Sequence, residues 1–141
     1  MFAYVWPLAL VVLSNTVYHV CAKSTPEGIH PMAGLTVTYL VAAAVSALLY
    51  FLMNPGGNLI KEYGGLNWTH FVLGVVIIGL EAGFVYAYRA GWEVSTASIV
   101  STVVLTVLLI PVGAILYREG ITPKKLLGLG ISLIGLYLMN K

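Results

Sequence analysis

Nearly every long apolar run in this chain reaches the roughly 17–25 residues that carry a helix across a hydrocarbon core about 30 Å thick. So little sequence is left between the runs that no soluble domain fits. Of the 141 residues 60% are hydrophobic and 9% charged, whereas soluble domains carry about 25% charge. The chain therefore reads as an integral membrane protein. Inside lipid the backbone has no water to bond to, so spans are either helices or strands of a closed barrel. A chain this short has too few alternating strands to close one, which leaves an all-α architecture.

Turn formers and charges divide the runs into five expected spans, about 2–22, 31–53, 68–91, 95–117 and 123–140, in one domain covering 1–141. Lys23-Ser24-Thr25-Pro26-Glu27-Gly28 separates the first two, and Asn54-Pro55-Gly56-Gly57-Asn58 ends the second. Before Gly64-Gly65-Leu66-Asn67 there remains a short stretch around Leu59, Ile60 and Tyr63 suited to the membrane interface. The link from Gly91 to Ser95 is so tight that spans three and four must be antiparallel neighbours. Thr122-Pro123 reads as an N-cap followed by proline at the first helical position.

Several function classes fall away. The net charge of +2 comes from scattered Lys and Arg, not a basic stripe, which argues against a nucleic-acid partner. The lone Cys21 closes no intrachain disulfide, and there is no cluster of Cys and His to ligate a metal. Met1-Phe2-Ala3-Tyr4 puts no positive side chain ahead of the first run, so that run is expected to be a mature helix and not a signal peptide. Asp is absent, and no P-loop, Gly-x-Ser-x-Gly, His-Glu-x-x-His or CxxC pattern occurs, so neither an enzyme nor a cofactor is expected.

The residue that most needs a reason is Glu81. It is the only formal charge between Phe71 and Tyr88, and an acidic side chain at the bilayer centre costs roughly 2.5–3.5 kcal/mol on insertion scales. Trp68 and Trp92 bracket this span at about 36 Å, near the separation of two interfacial aromatic belts, which puts Glu81 about 20 Å from one and about 16 Å from the other. On the same helical face lie Tyr88 and Gly74, with Phe84 beside them. A carboxylate, a phenol and aromatic walls suit a cation or amine, and a carboxylate there could also couple to protons. The alternative is a structural ion pair between Glu81 and Arg89, although Arg89 sits close enough to the span end to snorkel to the headgroups or act in gating.

In the first span Asn15, Tyr18 and His19 form one polar face at i, i+3 and i+4 spacing, able to line a pathway or to bond another helix. His30 and His70 fall at span ends and are expected at the interface. The fourth span carries Ser95, Ser98, Thr102, Thr106 and Gly113 along one face, with Pro111 as a bend and hinge because its ring cannot donate to the Val107 carbonyl. Gly128, Ser132 and Gly135 form a small-residue face on the last span, a natural dimer seam.

Ala87-Tyr88-Arg89-Ala90-Gly91, Pro111, Arg118-Glu119-Gly120-Ile121-Thr122 and Lys125-Leu126-Leu127-Gly128, together with Ser14-Asn15 and Lys23 in the first span, resemble an EamA-type repeat of the drug/metabolite transporter superfamily. Most members resemble two such repeats fused into ten helices, whereas this chain carries one, so the resemblance implies a dimer. With an odd number of spans, two copies must insert oppositely to reproduce an inverted repeat. The related small multidrug resistance transporters have four spans and a membrane-embedded glutamate in the first. Here Asn15 stands eight residues before Lys23, and Glu81, on another helix, does not inherit that role. Lys61, Arg118, Lys124 and Lys125 fall on one side of the membrane and Lys23, Arg89 and Lys141 on the other, a near tie that permits dual topology.

The expectation is an inner-membrane, multi-pass transporter subunit, an exporter of small molecules, working by alternating access as an antiparallel homodimer in lipid. A non-transporting assembly subunit of a larger complex is the alternative, and a channel is disfavoured because no span shows a continuous polar stripe.

Overall fold

The computed structural model describes residues 2–139, and every regular element among them is an α-helix. They are α1 (Phe2–Lys23), α2 (Pro31–Met53), α3 (Leu59–Tyr63), α4 (Trp68–Arg89), α5 (Val94–Leu116) and α6 (Pro123–Met139). Four of them, α1, α2, α4 and α5, are long and apolar enough to cross a membrane. The expected end of the last span at Asn140 and the charge of Lys141 lie outside the described residues.

Local chemistry explains the boundaries. Of the helices before residue 90, three start on capping side chains that accept an otherwise orphaned N–H: His30 Nδ1 from Met32 at 3.3 Å, Asn58 Oδ1 from Lys61 at 3.1 Å, and Asn67 Oδ1 from Thr69 at 3.1 Å. The short stretch expected at the interface is the five-residue helix α3. α4 ends at Arg89, two residues before the expected boundary, because Gly91 takes φ +99°, outside the helical region. At the start of α6, Thr122 Oγ1 accepts the Lys125 N–H at 3.3 Å, with Pro123 in the first turn as expected.

By contacts the chain divides into two compact units, α1 to α4 up to Ala90, and α5 with α6 from Gly91. In the first, α4 packs against both α1 and α2, burying Ala82, Val85 and Tyr88 together with His19 of α1 and Leu35 of α2. The other faces of these helices carry exposed apolar side chains such as Val12, Leu40 and Leu73, as expected of helices solvated by lipid instead of water.

In the second unit α5 packs against α6. α5 is assigned as one continuous helix through Pro111, the expected hinge. Its C-terminus is turned by Arg118 at φ 55°, and the N–H groups of Tyr117 and Glu119 both donate to the Gly113 carbonyl at 3.1 Å. That turn folds the Glu119 carboxylate onto Gly113, where an added Cβ would stand 3.0 Å from Oε2. Glycine is there because a carboxylate lies over it.

Candidate functional site

The polar side chains of the first unit gather where α4 meets α1 and α2. From α4, Tyr88 shares a 2.7 Å hydrogen bond with Nδ1 of His19, both side chains being buried. Phe84 stacks on Tyr88 with centroids 6.0 Å apart and meets His19 edge-on at 4.7 Å, and Tyr18 stands edge-on to both His19 and Phe84. Lys23, one turn beyond His19, places Nζ 3.4 Å from the Tyr88 carbonyl and 5.6 Å from its ring centroid. Tyr88 is thus fixed at its hydroxyl, its ring and its main chain by a single face of α1.

On the neighbouring side of α4 a cavity of about 150 Å³ opens between α1, α2 and α4, with Tyr18, Cys21, Thr25, Thr38, Glu81 and Val85 among its walls. Glu81 is half-buried and forms no ion pair among the described residues. The Tyr39 hydroxyl comes close enough to interact with its carboxylate, but not in hydrogen-bonding geometry. The Tyr18 and Tyr39 hydroxyls are both buried without a hydrogen-bond partner. A carboxylate and the Tyr18 side chain, whose hydroxyl is unsatisfied, therefore face a space sized for a small group, with Tyr39 beside the carboxylate but not among the walls.

The alternative pairing of Arg89 with Glu81 is not formed. The Nη2 of Arg89 donates instead to the Pro26 and Ile29 carbonyls at 2.9 and 2.7 Å, tying the α1–α2 loop to the end of α4. This is the better use of the side chain, since a guanidinium has a donor for each loop carbonyl and the loop is otherwise held by few bonds. Asn15 is exposed, a turn away from the cluster that Tyr18 and His19 join. Phe84 and Tyr88 lie against α1, beside the cavity and not among its walls.

A larger groove of about 570 Å³ lies within the second unit and includes Thr102, Thr106, Glu119, Lys125, Gly128 and Ser132. Its polar groups are already engaged: Thr106 donates to the Thr102 carbonyl at 2.8 Å, Ser132 to the Gly128 carbonyl at 3.0 Å, and Lys125 pairs with Glu119 at 3.9 Å. Gly128 and Ser132 of the expected seam thus border this groove, and Gly135 is exposed with open space where a Cβ would stand. Despite its smaller volume, the Glu81 cavity is the site with chemistry left unsatisfied.

Sequence reasoning passed over the contribution of α2. Leu35, Thr38 and Tyr39 are spaced i, i+3 and i+4, so they form one face, and two polar side chains on that face of an apolar helix were the available signal. Cys21 and Thr25 were likewise read as redox and loop features, not as walls.

Helices of membrane length around a small cavity that holds one carboxylate define a multi-pass membrane protein. The chain matches the EamA-like transporter family over residues 2–141 and belongs to it, a family of transporters and not of enzymes. No curated protein and no solved structure matches the chain.

Proposed function

We propose that the chain is one subunit of a small-molecule exporter of the inner cell membrane, completed by a second, oppositely inserted copy and working by alternating access. The observation that carries this reading is Glu81, a carboxylate on a cavity with no ion-pair partner among the described residues. A charge held in oil without a partner is retained where it meets a substrate or an ion. α6, with 17 residues, is about 25 Å long and supplies the fifth span, at the short end of the range. With five spans the termini face opposite sides, so only oppositely inserted copies reproduce an inverted repeat. The small-residue face of α6, Gly128, Ser132 and Gly135, forms the seam, and Pro111 gives α5 the flexibility to rock.

Two measurements test this. Flux through liposomes reconstituted with the protein, over a substrate panel, should fall to the background in Glu81→Gln; flux unchanged in that variant removes Glu81 from the mechanism. Orientation is read by cross-linking. Leu73 and Leu80 are exposed on one face of α4, and in an antiparallel pair related near Glu81 the two copies of residue 73 lie about 24 Å apart along the axis, whereas those of residue 80 lie about 3 Å apart. A disulfide needs Cα atoms within about 7 Å, so in a Cys21→Ser background Leu80→Cys should form a dimer and Leu73→Cys should not. Equal cross-linking at both positions marks a parallel pair, and none at either shows that α4 does not meet its copy near Glu81.

A further inference from the structure

We propose that the cavity between α1, α2 and α4 binds a small organic monocation, a protonated amine whose N–H donors meet the Glu81 carboxylate and the Tyr18 hydroxyl. This rests on the transporter reading above and names the substrate class of the same site.

Charge comes first. Glu81 is the acidic wall of the cavity, and the bases nearest in the fold are committed elsewhere, Arg89 to the loop carbonyls of Pro26 and Ile29 and Lys23 to Tyr88. An anion is repelled by this site, and a neutral solute leaves the carboxylate unpaired in a medium of low dielectric. A cation, whether a proton taken up by the carboxyl or an ammonium bound to the carboxylate, removes the penalty of holding the charge there.

Hydrogen bonding narrows the choice. Tyr18 lines the cavity and its hydroxyl is buried without a partner, and a phenolic oxygen can accept. An ammonium with two or three N–H groups can bond the carboxylate and still satisfy the phenol, which a quaternary ammonium cannot do.

Size sets the upper limit. A dry cavity of about 150 Å³ is known to hold benzene, and this one has about that volume. Leu35 and Val85 are buried along its wall and offer the apolar contact for an alkyl or single aryl group. A single ring fills that volume.

The chain carries its own reporter, because its one cysteine, Cys21, is exposed and forms part of the cavity wall. The full chain in nanodiscs of zwitterionic lipid is treated with methanethiosulfonate reagents bearing either an ethylammonium or an ethylsulfonate group. The Cys21 thiolate displaces methanesulfinate and leaves a mixed disulfide, and each rate is divided by that of free cysteine. The cationic reagent should react about tenfold faster or more, the least expected between attraction and repulsion of a unit charge across so small a space even at the dielectric constant of water. That preference should vanish in Glu81→Gln, a variant that inserts at least as well because it removes a charge from the membrane. Benzylamine should protect Cys21 while benzyl alcohol does not, and Tyr18→Phe should weaken the protection severalfold.

Equal normalised rates, labelling by neither reagent, a charge preference that survives Glu81→Gln, or protection by benzyl alcohol equal to that by benzylamine each overturn the proposal. The readout requires neither flux nor a second copy. Charge-selective labelling without flux leaves this site standing and removes transport, whereas flux of a neutral or anionic solute with charge-blind labelling does the reverse.

Discussion

Replacing Tyr88 by phenylalanine keeps the ring that stacks on Phe84 and removes the hydroxyl bonded to His19 at 2.7 Å. The two side chains are only 5% and 6% exposed, so solvent cannot replace the lost partner. Leaving a buried polar group unsatisfied costs about 1–3 kcal/mol, whereas hydrogen bonds between membrane helices average about 0.6 kcal/mol with a maximum near 1.7. The two scales overlap at about 1–1.7 kcal/mol, a five- to eighteen-fold fall in the ratio of folded to unfolded protein. His19→Phe orphans the Tyr88 hydroxyl instead and should cost a similar amount. In the double variant neither group is left over, so it should be more stable than the sum of the single losses by about 1 kcal/mol. Reversible unfolding in mixed micelles titrated with sodium dodecyl sulfate, followed by circular dichroism, measures all four corners of this cycle. Single losses that add to within about 0.3 kcal/mol would show that the two side chains are neighbours without coupling, and the account of α1–α4 pairing would be wrong.

Other outcomes follow from single features. Arg89→Gln removes the charged donor from the Pro26 and Ile29 carbonyls, so amide hydrogen exchange across residues 24–30 should quicken about tenfold while that of α2 is unchanged; no change in the loop refutes the tie. Gly91 lies at φ +99°, where an L side chain is strained, so Gly91→Ala should cost about 1–2 kcal/mol in the same unfolding assay despite alanine's higher helix propensity. Thr122→Ala removes the acceptor for the Lys125 N–H and should cost about 1 kcal/mol, a loss that Thr122→Ser should avoid.

The helices were legible in the sequence because their determinants are local. Thr122-Pro123, Asn67 and the glycines around residue 56 act within a turn of the chain, and length alone separates a span from a loop. Glu81 was legible too, since one carboxylate in an apolar run is visible without knowing its neighbours. What surrounds it was not. The faces of α1 and α4 could each be drawn, but that His19 meets Tyr88 while Tyr39 meets Glu81 depends on how three helices are rotated about their axes, which no periodicity within a single helix reports. Arg89 shows the limit in another way. Sequence distance suggested a partner two turns away on its own helix, whereas its partners, Pro26 and Ile29, are backbone carbonyls that leave no mark in side-chain chemistry.

Packing along α4 is uneven in a way that bears on how the cavity opens. Phe71, Leu73, Val75 and Leu80 are more than half exposed, while Ala82, Val85 and Tyr88 are buried, so Glu81 stands where packing begins. The contacts beyond it are not alike. Tyr88 is held to α1 by a hydrogen bond and stacked rings, whereas toward α2 the buried apolar residues are Leu35, Ala82 and Val85, with a Tyr39 hydroxyl that completes no bond. Separating α2 from α4 thus breaks small apolar contacts that lipid tails can replace at little cost, while separating α1 from α4 breaks a polar network that lipid cannot. If the cavity opens, α2 is the element that moves, and α1 with α4 forms the fixed wall. Filling the α2 side and loosening the α1 side should therefore act in opposite senses on access to Glu81.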